Sequence, residues 1–195
     1  MIVLTTRKPE INSVEVTEGA YDGITLADFK QFIKWNADDD SEDTTMNYCL
    51  RSATKQAEMY IRRVISVASW ASFLSGFVNI TFDISPIDLE SVGVKYYDDT
   101  NTEQELDDDL FTLTNRGKDQ FASIEFESGL PETYNRNEPV WIEFDAGYEP
   151  YPEDLKAIIL QEAATRFENR TNEQSGSLDQ VTFGFHQRLF PWKML

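Results

Sequence analysis

The stretch Ala146–Asn169, AGYEPYPEDLKAIILQEAATRFEN, predicts the central element of the fold. Pro152 is followed by Glu153 and Asp154, and a proline with two acids suits the unpaired N–H groups and the positive dipole end at the start of a helix. After this point apolar side chains recur every three or four residues, as on one buried helix face. They are Leu155, Ile158, Ile159, Leu160, Ala163, Ala164 and Phe167. We therefore predict a long helix over 153–169.

Two further helices are predicted upstream. The first covers 26–35, because Thr25 can cap it and Asp28, three residues later, completes a near capping box. The second covers 42–65, with Ser41 or Asp40 as its cap. Its apolar side chains keep helical spacing: Met46, Leu50, Ala53, Ala57, Tyr60, Ile61 and Val64.

The middle of the chain predicts short strands, because apolar residues alternate there between turn-rich breaks. The segment 66–85 contains two β-prone halves separated by Gly76. Four further strands are predicted at 92–97, 110–114, 122–127 and 140–145. This pattern is typical of a mostly antiparallel β region over about 66–146.

The fold class that follows is α+β, with a small helical bundle core, an inserted antiparallel β region and an extended C-terminal tail. We predict three parts: an N-terminal arm over 1–23, a single domain over 24–177, and a C-terminal docking tail over 178–195. A short β-type alternation at 11–17 lies in the arm, which we expect to order on a neighbouring molecule.

Composition narrows the classes of function. The chain has 195 residues, with 17 basic and 35 acidic side chains and a net charge of −18. A surface this acidic repels phosphate backbones and anionic membranes, which argues against a nucleic-acid reader. The first residues do not resemble a signal peptide, and no apolar run is long enough to span a membrane. With one cysteine, Cys49, we expect a soluble protein made in a cytoplasm.

No motif in the sequence predicts catalysis or a cofactor. His186 is the sole histidine, and His186 and Cys49 together are too few for a zinc site built on such ligands. A calcium loop that starts at Asp38 fails, because position six is Asp43 instead of glycine and position twelve is Cys49 instead of glutamate. No phosphate-binding glycine motif occurs. We expect no enzyme, metal or cofactor, although a carboxylate pair in a small acidic hydrolase stays open as an alternative.

The C-terminal segment combines aromatic and basic side chains, the residue types that dominate interface hot spots. Its candidate partner-interface residues are Phe183, Phe185, Arg188, Leu189, Phe190 and Trp192. Two interpretations are open at this point. The segment either docks on a partner or folds back to complete the chain's own core, in which case the chain is a stand-alone binding module.

The order of these elements resembles the head–tail connector (adaptor) proteins of long-tailed bacteriophages and related gene-transfer particles. The resemblance covers roughly 24–195 and depends on order and spacing. The matching segments are Ile24-Thr25-Leu26-Ala27, Ala57 to Val64, Val94 to Asp98, Ile124-Glu125-Phe126, Val140 to Tyr148, Pro152 to Arg170, Val181 to Gly184 and Leu189 to Trp192. The N-terminal extension and the strong acidity depart from the family.

The resemblance implies a structural virion protein without catalytic residues. Such proteins form a ring of about twelve copies under the portal at the DNA-packaged vertex, on which later neck and tail proteins dock. It implies the portal as partner of the C-terminal tail, assembly in the host cytoplasm, and a final place in the virion neck. Another neck component, a head-closure or tail-terminator protein, is the alternative.

DNA has to pass through such a ring without adhering, and carboxylates repel phosphate at close range. We therefore expect some of the acidic turns to face the channel, while acidity that serves only solubility is the competing explanation. The candidate acids are Asp38, Asp39, Asp40, Asp107, Asp108 and Asp109.

Overall fold

The computed structural model describes residues 12–16, 23–115, 121–169 and 178–193. The chain divides into two compact units. The helical unit contains the described residues of 19–67 and 147–195, and the sheet unit contains those of 1–18 and 68–146. The predicted α+β fold, with antiparallel strands inserted between helices, is confirmed. The three-part division at residues 23 and 177 stays a prediction.

The helical unit contains four helices, which are α1 (Leu26–Phe32), α2 (Asp43–Ile61), α3 (Glu153–Glu168) and α4 (Leu178–Leu189). The first three overlap the predicted helices, although α1 ends at Phe32, three residues before its predicted end. At the start of α1, the Asp28 N–H donates to Thr25 Oγ1 over 3.1 Å, and the Thr25 N–H donates to Asp28 Oδ2 over 2.9 Å. This capping box is the predicted one. Among the described helices, none has the length and apolarity needed to cross a membrane.

Both predicted ends of α2 need correction. Its N-cap is Glu42, which makes no capping side-chain bond, and not Ser41 or Asp40. The helix ends at Ile61, four residues before the predicted end, and the capping residue Arg62 has a left-handed φ of 59°. The Ile65 N–H donates instead to Glu58 Oε1 over 2.9 Å. The apolar pattern continued past the helix because Ile65 is fully buried in the core of the unit.

The core of the helical unit lies mainly between α2 and α3. Phe167, near the end of α3, meets Phe29 of α1 and Trp35 edge to face, at ring-centroid distances of 6.2 and 5.8 Å. Such edge-to-face pairs add to the stabilisation from burial alone. The fully buried side chains of this core are Phe29, Met46, Ala53, Ala57, Ile61, Ile65, Leu155, Ile159, Ala163 and Leu189.

The sheet unit contains two antiparallel sheets. The five-stranded sheet has the order β1 (Asn12–Glu15), β2 (Ala68–Leu74), β8 (Val140–Ala146), β4 (Gly93–Tyr97), β5 (Glu103–Glu105). The three-stranded sheet has the order β3 (Ile80–Thr81), β7 (Ser123–Phe126), β6 (Phe111–Thr114). The strands predicted at 92–97, 110–114, 122–127 and 140–145 are all present.

The N-terminal segment differs from its prediction where it is described. Strand β1 pairs with β2 of the same chain, and Val14 lies opposite Ala71. The hydroxyl groups of Ser13 and Ser72 lie 2.7 Å apart, which joins the side chains of the two strands. Asn12–Glu15 therefore orders on its own sheet, while the other residues of 1–22, except Val16, lie outside the described part of the chain.

The C-terminal segment also differs from its prediction. An extended tail was expected, but residues 178–189 form helix α4, followed by a 3-10 turn at Phe190–Trp192. Phe185 and Leu189 are four residues apart and therefore share one helix face. Both are buried, with 1% and 0% of their surface exposed, in the core of the helical unit. Their burial explains why this segment forms a helix.

Candidate partner-binding surface

Helix α4 and the end of α2 form the surface to which the sequence prediction points. The ring of His186 lies flat on the ring of Tyr60, with centroids 4.5 Å apart and planes 16° from parallel. At the other end of the segment, Trp192 meets Tyr148 edge to face at 5.9 Å. The Arg188 guanidinium also donates to Gln161 Oε1 on α3. These contacts fix α4 on the helical core.

A polar relay sets the hydrogen-bonding role of His186. Arg166 donates from its guanidinium to Gln56 Oε1, and arginine has only donors. The amide oxygen of Gln56 therefore faces Arg166, and its NH2 group faces His186 Nε2 at 3.5 Å. Because that NH2 group can only donate, Nε2 is the acceptor in this contact. This is a structural role, and it needs no catalytic partner.

The stacked pair borders an open groove. The groove has a volume of about 320 Å³ and is lined by Tyr60, His186, Gln187 and Phe190. Phe190 is 60% exposed and Met59, beside Tyr60 on α2, is 81% exposed. The Lys193 ammonium lies 5.2 Å from the Tyr60 ring centroid, within the range of a cation–π contact. The groove is thus apolar and aromatic with a cation at its border, which suits binding of a macromolecular partner.

The structure divides the predicted tail residues into two groups. Phe185 and Leu189 belong to the core, so they hold α4 in place and are closed to a partner. Arg188 and Phe190 are exposed, and Trp192 is half-buried. Phe183 lies in α4, but its side chain is outside the described part of the structure. The contact of this segment with a portal stays a prediction.

Sequence reasoning missed the α2 side of this surface. Tyr60 was placed among the core positions of α2, and it lies 126 residues before its stacking partner, His186. No sequence pattern marks Gln56 or Met59 as residues of a binding surface. A helical pattern shows which face of a helix is apolar, but it does not show which other helix covers that face, so the groove had no local signature.

The two acidic turns lie in different units. In the helical unit, the Lys30 ammonium lies 2.8 Å from the Asp39 carbonyl oxygen and holds the turn that contains Asp38–Asp40. The hydrogen bonds from the Ser41 side chain and backbone hold the pKa of Asp39 below its usual value. In the sheet unit, Asp107 accepts from the Asp109 N–H over 3.4 Å at the start of a 3-10 turn. Both clusters are turns closed by local hydrogen bonds.

The described residues do not form a recognisable catalytic or metal centre. No group of three or more His, Cys, Asp or Glu side chains among them could hold a metal ion. The carboxyl groups whose pKa is displaced, Asp28, Asp39, Asp98 and Glu143, all have it lowered. A carboxyl that acts as a general acid near neutral pH needs the opposite displacement. The described geometry therefore gives no support to the hydrolase alternative.

Comparisons with known structures identify the fold. The chain has the same fold as a chain in the neck of an empty gene transfer agent (GTA) particle, computed with C6 symmetry. The two share 20% identity with a TM-score of 0.72, over 94% of this chain and 96% of that one. A chain from the virion of the native GTA particle matches at 19% identity with a TM-score of 0.69, over 94% and 95% of the two chains.

A chain from the neck of the native GTA particle, computed with C12 symmetry, also matches. It shares 18% identity with a TM-score of 0.68, over 94% of this chain and 96% of that one. No protein-family model matches the sequence, and no curated protein matches it. The fold is therefore that of chains from the necks and the virion of gene transfer agent particles, at low sequence identity.

Proposed function

We propose that this chain is a structural component of the virion neck of a tailed phage or a phage-like particle. The observation that carries the proposal is the fold match, which extends over 94% of this chain and at least 95% of each GTA chain. Because both units of the chain fall within the match, the likeness is not limited to one common supersecondary motif. The role is architectural, without catalysis.

In its finer form the proposal is a head–tail connector that forms a ring of about twelve copies under the portal. The C6 and C12 symmetries of the GTA neck structures agree with repeated copies around an axis. The ring joins the DNA-filled head to the tail, lets DNA pass, and offers a platform for later neck and tail-completion proteins. It assembles in the host cytoplasm and stays in the virion neck.

The proposed portal contact lies on the C-terminal segment. Because Phe185 and Leu189 are in the core, they position α4 while the exposed Arg188 and Phe190 make the contact. Trp192 is half-buried against Tyr148 and supports the end of the segment. Phe183 stays in the proposed set on the strength of the sequence alone.

DNA passage is proposed to depend on carboxylates that face the channel. The candidate turns are those of Asp38–Asp40 and Asp107–Asp109. Apart from Asp39, which is half-buried, their side chains are exposed and can present charge to solvent. Charge-neutral variants at the channel-facing turn are expected to slow DNA passage and lower infectivity. Variants at both turns that leave passage and infectivity unchanged would remove this part of the proposal.

Deletion of the gene for this chain tests the neck role in the particle. We expect filled heads and finished tails that fail to join, and we expect joining to return when the full chain is supplied from a plasmid. Electron micrographs of the lysate provide the readout. Particles that assemble and infect normally without the chain would exclude a connector role.

A further inference from the structure

The helical unit carries two surfaces of opposite chemistry at the two ends of α2. The acidic end precedes the helix, where Asp38 and Asp40 are exposed, and Phe32, six residues before Asp38, is 45% exposed. Lys30 fixes this end through its ion pair with Asp43, the first residue of α2, at 2.6 Å. The acidic end is therefore a fixed turn with exposed carboxylates, and the exposed Phe32 is the last residue of α1, the helix that leads into this turn.

The basic end lies at the other terminus of α2. It consists of the groove lined by Tyr60, His186, Gln187 and Phe190, with Lys193 over Tyr60 and the exposed Arg62 directly after the helix. Asp43 and Tyr60 are 17 residues apart on α2, which corresponds to roughly 26 Å along the helix axis. Since one rigid helix connects the two surfaces, a single molecule cannot bring them together.

We propose that the groove at the basic end binds the acidic end of a second copy of this chain. In this contact the Phe32 ring of one copy lies in the groove of the next, against Tyr60 and Phe190. Asp38 and Asp40 then lie near Arg62 and Lys193 of the copy that provides the groove. The inference rests on the proposed function, because it identifies which surfaces join neighbouring subunits of the neck ring.

Charge complementarity selects a second copy as the occupant. The chain carries a net charge of −18, so most of its surface is acidic. The basic end differs from that surface and attracts acidic partners. The same unit displays the exposed carboxylates of Asp38 and Asp40, which match the cations of the basic end, and the exposed Phe32 ring, which matches the apolar groove. A contact between two different surfaces of identical copies is heterologous, and heterologous contacts close into rings when the rotation between copies permits.

Different exposed residues then serve the contact between subunits, the portal contact and the DNA channel. Asp38 and Asp40 lie in the contact between subunits, so Asp107–Asp109 are the remaining candidates for the DNA channel. Phe190 lies where the subunit contact and the proposed portal contact adjoin. The test therefore uses Gln187, Arg62 and Lys193 on the groove side.

Cysteine cross-linking tests the geometry directly. In a Cys49→Ser background, one chain carries Ala37→Cys, next to Asp38, and a second chain carries Gln187→Cys, so the Phe32 ring is kept. Both positions are exposed, so the substitutions are expected to leave the fold intact, which circular dichroism verifies. The mixture is oxidised in concentrated solution at low salt and also when bound to portal rings. We expect a disulfide-linked dimer at least about tenfold more abundant than with the control, Glu103→Cys in place of Gln187→Cys.

Charge exchange provides the second test. Asp38→Lys with Asp40→Lys makes both ends basic, and Arg62→Glu with Lys193→Glu makes both ends acidic. We expect each double variant alone to lose self-association by about tenfold or more, because like charges then face each other. An equimolar mixture of the two is expected to recover association, since basic and acidic copies alternate.

The outcomes separate this inference from the proposed function. Cross-linking at 37 and 187 with recovery in the charge-exchanged mixture supports the contact. If the chain binds portal rings in many copies but gives no more cross-link than the Glu103→Cys control, the inference is overturned while the neck role stands. If the charge variants associate as the wild type does, or if the groove cross-links to the portal instead, the second copy is not the occupant. A chain that cross-links in solution but does not bind portal rings would support the contact between copies and contradict the proposed function.

Discussion

The ammonium group of Lys30 lies 2.6 Å from Oδ1 of Asp43, and this ion pair joins α1 to the first residue of α2. Lys30 is only 7% exposed, and its ammonium also donates to the Asp39 carbonyl oxygen over 2.8 Å. One buried cation thus holds the acidic turn, the start of α2 and the end of α1 in one arrangement. The shape of the acidic end depends on it.

Lys30→Met is expected to lower the free energy of unfolding by about 1–3 kcal/mol, because Asp43 and the Asp39 carbonyl lose their donor. Urea unfolding followed by circular dichroism measures the change. Lys34→Gln is the matched control, since Lys34 is an exposed lysine of the same segment. Equal effects from both substitutions would show that the buried ion pair does not stabilise this end.

Leu189→Ala is expected to weaken the docking of α4, because the leucine is fully buried and its removal leaves a cavity. The loss is about 2–4 kcal/mol, as for other leucines removed from a core. Hydrogen exchange of the amides at 184–189 should become faster. Phe190→Ala, at a residue 60% exposed, should change that exchange little. Unchanged protection in Leu189→Ala would mean that the core does not hold α4.

Gly147 occupies a position that no other residue fits well. Its φ is +134°, and an added Cβ would lie 2.6 Å from the Val67 Cα. We expect Gly147→Ala to cost about 2–4 kcal/mol in unfolding free energy, because both the backbone and the neighbouring chain oppose it. Gly76→Ala is the control, because a Cβ there meets no atom within 4 Å. A Gly147→Ala protein as stable as that control would contradict the close approach.

Asp98 gives the sheet unit a defined pH dependence. Hydrogen bonds from the Thr100 side chain and the Thr102 backbone lower the pKa of Asp98 to about 2, and the Gln104 side chain and Thr100 backbone add to them. A carboxyl whose pKa is lowered in the folded state stabilises the fold at pH values above its unfolded pKa of about 3.8. This stabilisation is lost as the pH falls toward 2. The wild type should therefore exceed Asp98→Ala in stability at neutral pH.

That difference should shrink as the pH falls from about 4 to about 2.5, because the Asp98 carboxyl of the unfolded chain becomes protonated in this range while that of the folded chain, with its pKa of about 2, is still mostly ionised. Urea unfolding over this range provides the comparison. Asp99→Ala, at the exposed neighbouring carboxyl, controls for the change in net charge. A stability difference for Asp98→Ala that stays constant with pH would exclude the carboxylate as the source.

The sequence predicted those elements whose signal is local. Helix α3 was found because its apolar period and its proline and acidic start lie in one stretch, and most strands were found because turn residues border them. Helix α4 was missed, because the burial of Phe185 and Leu189 depends on helices far away in sequence. Strand β1 was left without a partner for the same reason, since its pairing with β2 spans 59 residues at Ser13 and Ser72.

The sequence predicted the C-terminal side of the candidate surface but not the side that α2 provides. Arg188 and Phe190 are recognisable as a basic and an aromatic residue near the end of the chain. Tyr60 is not, because it belongs to the apolar pattern of a helix. The end of α2 at Arg62 also escaped prediction, because Val64 and Ile65 continue the apolar pattern beyond the last helical turn. Packing between distant segments, and not local preference, decided these positions.

Co-sedimentation with portal rings encoded by the same genome tests the neck role most directly. A version that ends at Ser177 would lose Phe185 and Leu189 from the core, so point variants replace truncation. We predict that the full chain sediments with the rings in a fixed ratio, and that Arg188→Glu with Phe190→Ala sediments far less while Glu103→Gln behaves as the wild type. A full chain that stays in the supernatant with intact portal rings would contradict the connector account.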